Sequence, residues 1–379
     1  MRLALTALII KEFQQTFRDK RMVGVLVVVP LLQLVVLGYS VNLDVNHVPT
    51  LVADEDRSVQ SRELVAGLVA GDAFDQVGEL ATGQAALGAF ERGLASIVIV
   101  VPKGFGERVK RGAPAAVQVL VDGSDSNRAI VAQNAATAYM LGRAVALAQE
   151  RIAQVARQRG FVPQIRPLRV EPRLLYNPAL DSAIFFVPGV AATLLLIVTL
   201  IVTAMGLARE KESGTLEQVL VTPLTPTTLI LGKTLPYAAI GLVDLGLVLA
   251  AGSWLFGVPL RGPLVVVFAA GLLYLLATLG LGLFLAAVVR NQQQALMAAF
   301  FVLLPGMLLS GFVTPIENMP TWLRPVTALN PVRHFVEVLR AVLLKGASFS
   351  DLTSQFVALA GIGITLFGAA SYTLRRRLG

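Results

Sequence analysis

Few residues in this 379-residue chain are of a type and spacing that could do covalent chemistry. There is no cysteine, which excludes thiolate nucleophiles, disulfides and Cys-ligated zinc. The two histidines, His47 and His334, lie far apart without companions at ligand spacing, so satisfied or exposed imidazoles are expected rather than a metal site. Gly232-Lys233-Thr234 has the form of the end of a phosphate loop. Such a loop needs a glycine where this chain has Thr227, and the residues between are apolar rather than flexible. No nucleotide-hydrolysing motif occurs elsewhere, so the chain is not expected to hydrolyse ATP itself.

Inside the apolar runs there is no Ser/His/Asp arrangement, no lysine dyad and no pair of carboxylates, which argues against an intramembrane protease or transferase. One acid stands alone there. Asp244 falls about ten residues into an uncharged run, where a carboxylate costs several kcal/mol unless paired or hydrated. It is either functional or the structural partner of a basic or backbone group on a neighbouring helix or subunit. Gln33 and Gln292 to Gln294 are weaker signals of the kind that glue helices or line loops.

The densest polar feature is AREKESGTLEQVLVTP, residues 208–223, wedged between two long apolar runs. Thr215 followed by Gln218 has capping-box form, Gly214 permits a turn before it, and Glu217 would sit in the positive first turn of a short helix. Leu216, Val219 and Leu220 share one face of that helix, Pro223 ends it, and Thr225 and Pro226 begin the next. The segment is either a docking element or a loop that merely joins two spans.

The elements that would position these residues follow from hydropathy. With 55% hydrophobic residues, 15% charged and a mean hydropathy of +0.71, the chain is an integral membrane protein. A net charge of +8 does not signal nucleic acid, because the basic residues flank apolar runs rather than forming a patch with aromatics. Residues 1–21 place Leu5, Leu8, Ile9, Phe13 and Phe17 at helical spacing, with Lys11, Glu12, Gln14, Gln15 and Arg18 filling the remainder. That predicts a cytoplasmic amphipathic helix at the membrane surface, or simply a basic flank. Runs at 22–41, 182–207, 234–256, 263–289, 295–313 and 352–374 predict six transmembrane helices, the first retained rather than cleaved. Arg2, Lys11, Arg18, Lys20, Arg21, Arg209, Lys211, Lys233, Arg290 and Arg375 to Arg377 then all fall on one side, the cytoplasm.

Residues 42–180 have ordinary soluble charge density and are long enough to bury a core, so an inserted extracytoplasmic domain is expected between helices 1 and 2. Apolar runs at 50–53, 97–101 and 117–121 read as strands, and 58–69, 83–92, 104–111 and 125–159 as helices, giving an α/β or α+β domain. The 97–101 run is continuously apolar, as in a strand buried on both faces. Residues 165–175 carry Pro167 and Pro172 and suit an edge strand or stalk. Residues 181–379 form a five-helix transmembrane domain with a cytoplasmic loop at 208–233 and an outer or re-entrant helical segment at 316–351. Within the latter, Asn330 and Pro331 start a helix that Gly346 ends, with Val332, Phe335, Val336, Leu339, Val342 and Leu343 on one face. Arg333, Glu337 and Arg340 occupy another.

Three stretches together resemble the permease subunits of type-2 ATP-binding-cassette exporters, in the branch with a large extracytoplasmic domain after the first span: GYSVNLDVNHVPTLVADEDRSVQSRELV (38–65), AREKESGTLEQVLVTPLTPTTLILGKTLPY (208–237) and NPVRHFVEVLRAVLLKG (330–346). PKGFGERVKRGAPAAVQVLVDGSDSN (102–127) is similar to the same branch. The resemblance implies a non-enzymatic permease in a bacterial inner membrane, with ATP and magnesium bound by a separate cytoplasmic ATPase and no cofactor in this chain. It implies that Glu210, Glu212, Gly214, Thr215, Leu216 and Glu217 carry the coupling helix that seats in that ATPase. It further implies a second permease copy or paralogue and, in Gram-negative relatives, often a periplasmic adaptor and an outer-membrane channel. A drug-like or lipid-like amphipath is the expected cargo. The alternatives are an extracytoplasmic ligand sensor, which would need a cytoplasmic output domain, and a polysaccharide-export permease, whose group resembles a bare six-span bundle.

Overall fold

The structure, a computed structural model, describes residues 2–18, 20, 24–40, 47–71, 73–124, 126–158, 175–178, 181–214 and 226–378. The chain divides into two compact units, Leu43–Pro172 and the remainder.

In the smaller unit, β1 (Val48–Asp54), β2 (Phe74–Glu79), β3 (Ile97–Val101) and β4 (Gln118–Val121) form a sheet of order β2-β1-β3-β4. β1 pairs in parallel with both β2 and β3, and β4 runs antiparallel to β3. Parallel neighbours need crossovers, and the helical segments between the strands supply them. Every residue of β3 is buried because the sheet is covered on both sides. Ile97, Ile99 and Val101 face a core with Leu64, Leu68, Phe105, Ala132 and Ala136, whereas Val98 and Val100 face one with Leu51, Ala53, Ala86 and Ala89. Ser58 caps the helix Val59–Val69 by accepting from the Ser61 N–H. The run expected as a helix at 83–92 is a 3-10 turn, Gly83–Ala85, followed by the short helix Ala86–Glu91. β2 was not expected: only Phe74 of FDQVGE is fully buried, so this edge strand lacks a hydrophobic pattern. Residues 165–174 lie outside the described residues.

The larger unit is helical. Among the described residues, four of its helices are long and apolar enough to cross a membrane: Ser182–Glu212, Ile230–Phe256 within the helix Pro226–Phe256, Leu264–Val288, and Ser350–Leu374 around the helix Thr353–Leu378. Two shorter apolar helices, Leu26–Tyr39 and Gln292–Leu308, accompany them. The 295–313 run therefore ends early. After Pro305 the chain turns at Ser310, whose hydroxyl accepts from the Phe312 N–H, and at Gly311, which has a φ of +74°.

Ser182–Glu212 is the central helix, with most of its length buried. It is tied to Leu264–Val288 by side chains that reach the partner helix. Tyr274 donates to the Ala192 carbonyl at 2.9 Å, and Thr199 bonds Thr278 at 2.9 Å. Small residues let helices approach closely here, as membrane bundles require. A Cβ on Gly280 would stand 2.8 Å from the backbone nitrogen of Phe367, a contact no side-chain rotation can relieve. Gly280→Val is expected to destabilise the bundle by about 1–3 kcal/mol through overpacking. Gly368, with open space around it, should accept alanine nearly without cost. Thermal unfolding of the two variants in detergent checks the contrast.

The segment 330–346 folds as its caps and periodicity predict. Asn330 accepts from the Val332 N–H, Pro331 occupies the first turn of the helix Pro331–Lys345, and Gly346 ends it at a φ of +73°. The six apolar residues on its inner face are all buried, and Phe335 stacks on Tyr274 with ring centres 4.4 Å apart. The helix is packed against protein along that face.

Candidate functional site

The ends of the 208–233 segment are locked to the rest of the helical unit. The central helix stops at Glu212, and Gly214 leaves it with a φ of +69°, a left-handed turn that glycine adopts without strain. Just before that stop, Lys211 donates to the carbonyls of Ala286, Ala287 and Val289, filling the open end of Leu264–Val288 with a cation. Glu212 accepts from the Gln292 side-chain amide at 2.9 Å, and Arg209 donates to the Gln292 carbonyl oxygen at 3.2 Å. Gln292 therefore clips the segment to the next interhelical turn. Asn291 caps the helix that follows by accepting from the Gln294 N–H.

The far end is held by an ion cluster. Lys233, only 7% exposed, lies 3.1 Å from Glu12 and in direct contact with Glu210. Glu12 itself is 4% exposed. One ammonium thus joins three elements: the N-terminal helix Arg2–Arg18, the end of the central helix and the second turn of Pro226–Phe256. Charges this buried persist only when paired. Gly232 belongs to the same joint, since a Cβ there would stand 2.3 Å from a methyl of Leu8. The Gly-Lys-Thr tripeptide is thus part of a helix–helix contact. Glu12 corrects the reading of that residue as polar filler: the buried stripe of the first helix is Leu8 and Glu12, and the glutamate points inward because Lys233 is there.

Among the six residues that the resemblance assigns to coupling, Glu210 faces Lys233, Glu212 faces Gln292 and Gly214 forms the turn. Thr215, Leu216 and Glu217, with the expected capping box and short helix, lie outside the described residues. Asp244 is 4% exposed, and neither of its oxygens has a hydrogen-bond partner. Arg333, Glu337 and Arg340 bind the helix Pro331–Lys345 to its surroundings. Arg333 donates to Thr327 and approaches Glu337 at 3.5 Å, and Glu337 accepts from Gln355 at 3.1 Å. Arg340 lies 3.7 Å above the Phe185 ring and donates to the carbonyls of Phe185 and Gly311.

The small sheet changes strand direction of growth between β1 and β3, where open α/β sheets commonly bind ligands. Here the chain's own carboxylate fills that place. Asp56 accepts from the N–H groups of Gly104 and Gly106 at 2.7 and 2.8 Å, and the Ser58 hydroxyl and then these amides hold its pKa below the usual value. His47 pairs with Asp75 and His334 with the Ala328 carbonyl, and the described residues contain no cluster that could hold a metal ion.

Four long apolar helices among the described residues, one of them central and buried, with charges gathered at the ends of a connecting segment, define an integral membrane protein of the helical, polytopic class. The family model described as ABC-2 family transporter protein matches residues 20–372, and the chain belongs to that family. It is 32% identical over 375 residues to the probable multidrug ABC transporter permease YbhR of Escherichia coli K12, covering 98% of each chain. It is 33% identical over 378 residues to the probable multidrug ABC transporter permease YbhS of the same organism, covering 98% of this chain and 97% of the relative. The inner membrane transport permease YhhJ is 29% identical over 382 residues, with 98% and 96% covered.

Proposed function

We propose that this chain is the membrane-spanning permease subunit of an ATP-driven exporter, moving a hydrophobic or amphipathic compound of drug or lipid class out of the cytoplasm or inner leaflet. ATP is hydrolysed on a separate ABC ATPase that docks on residues 208–233. The two shorter apolar helices complete six spans. They have 14 and 17 residues and so reach about 21 and 25 Å, less than the roughly 30 Å hydrocarbon core, a mismatch that local thinning accommodates. Both termini face the cytoplasm, the 42–180 domain lies outside, and the subunit works as a pair with a second copy or a paralogue. A periplasmic adaptor and an outer-membrane channel complete the export route.

One observation carries this reading: both ends of the 208–233 segment are rigidly tied into the helical unit by Lys211, Glu212 and the Glu12–Lys233–Glu210 cluster. A push on the middle of such a segment is transmitted to the central helix and to Pro226–Phe256 together, because neither end can yield independently. ATPase closure would then favour one of two bundle arrangements through differential contacts. The test is co-expression with a candidate ABC ATPase subunit, followed by affinity purification and measurement of ATP turnover in lipid vesicles. A stable complex whose turnover rises with amphipathic compounds is expected. An ATPase that neither co-purifies nor changes its turnover would overturn the reading.

A further inference from the structure

Asp244 is a buried acid of the membrane helices with no part in the coupling joint. It lies midway along the apolar stretch Ile230–Phe256, fourteen residues from one end and twelve from the other. It lines a cavity of about 140 Å³ with Phe13 and Phe17 of the first helix, Leu26 and Val27 of the first apolar helix, and Ile240 of its own helix. Every other lining side chain is apolar. Phe13 and Phe17 are stacked, with ring centres 6.2 Å apart and planes inclined by 8°, and form an aromatic wall. Phe17, Val27, Val243 and Leu247 are substantially exposed, so the cavity is reached from the outer flank of the bundle. The volume is that of a benzene-sized apolar cavity.

A carboxylate in such a place is costly as an anion without a partner, and among the described residues its neighbours offer neither a cation nor a hydrogen-bond donor. An incoming positive charge would provide the missing partner. The aromatic wall favours a cation of low hydration, and the apolar remainder favours a hydrocarbon body. We infer that the cavity around Asp244 is a binding site for a lipophilic organic monocation, an ammonium bearing aromatic or aliphatic groups, which enters sideways from the lipid. A single carboxylate selects one positive charge, and anionic amphipaths are disfavoured at the same site. The inference deepens the permease reading by naming a cargo class and its first contact. Binding can be measured without an ATPase, so its failure is distinguishable from a failure of coupling.

The full chain in nanodiscs is titrated with radiolabelled benzyldimethyldodecylammonium, with binding to empty nanodiscs subtracted. Its ring matches the cavity and its tail can remain in lipid. Saturable binding is expected in the wild type, weakened at least tenfold in Asp244→Asn and largely retained in Asp244→Glu. Ala239→Phe, at the exposed rim of the cavity, should weaken binding with the carboxylate intact, which covers the case in which Asp244→Asn fails to fold. Absence of saturable binding in the wild type, or binding unchanged in Asp244→Asn or Ala239→Phe, would overturn the inference.

Discussion

Lys233→Met is expected to destabilise the helical unit by about 3–5 kcal/mol, the cost of removing one partner from a buried ion cluster. The variant strips Glu12 and Glu210 of their shared cation while leaving both carboxylates in place. Lys11, 3.9 Å from Glu12 and half exposed, is too distant and too hydrated to substitute. Because the cluster spans three elements, its loss should free the N-terminal helix first, giving faster tryptic cleavage at Lys11 and Arg18 and a lower unfolding temperature. Combining Lys233→Met with Glu12→Gln and Glu210→Gln should recover much of the loss, since no buried charge is then left without its partner. If the single variant melts with the wild type and the N-terminal helix stays protected, the cluster does not hold the joint together.

The second large effect is expected from Glu217→Lys. Under the coupling proposal this residue meets the ATPase in the middle of the held segment, so reversing its charge places like charge where complementary charge is required. ATPase association should weaken by roughly tenfold or more, with transport lost and membrane insertion and thermal stability unchanged. Glu210→Gln supplies the contrast. Its carboxylate is engaged by Lys233, so it should lower stability and leave intrinsic ATPase affinity nearly intact in the folded fraction. Association measured on detergent-solubilised, folded protein separates the two. Equal affinity for wild type and Glu217→Lys would remove Glu217 from the interface.

What could be read in the sequence and what could not divides along the range of the interactions involved. Residues 330–346 were legible in detail, because Asn330, Pro331 and Gly346 act on their own backbone and the apolar period is local. β3 was legible because continuous Val and Ile can be accommodated only by a sheet covered on both faces. β2 was not, since an exposed edge strand has little to bury. Hydropathy overshot the fifth apolar run because it does not register the turn at Ser310 and Gly311. The ion cluster was the largest omission. Glu12, Glu210 and Lys233 are far apart in the chain, and their types alone read as surface charge at helix ends. The one available clue was a glutamate on the leucine stripe of an amphipathic helix, four residues after Leu8.

The same range of interaction governs the reading of the 208–233 segment. Its charges suggest a docking surface, whereas Glu210, Lys211, Glu212 and Lys233 are engaged within the chain, and residues 215–225, Glu217 among them, lie outside the described residues. Glu210, Lys211 and Glu212 form the frame, and the proposed contact with the ATPase falls to residues such as Glu217. The frame explains how a small contact could move two long helices. It also assigns the N-terminal helix a role, since Glu12 is one corner of the joint.

The most direct test of the central claim is transport in inside-out membrane vesicles containing this chain and its ATPase, with accumulation of a fluorescent amphipath followed after addition of ATP. The account predicts ATP-dependent accumulation that requires both proteins and is abolished by Glu217→Lys although the variant is inserted normally. Accumulation that is unchanged in the variant, or that proceeds without the ATPase, would contradict it.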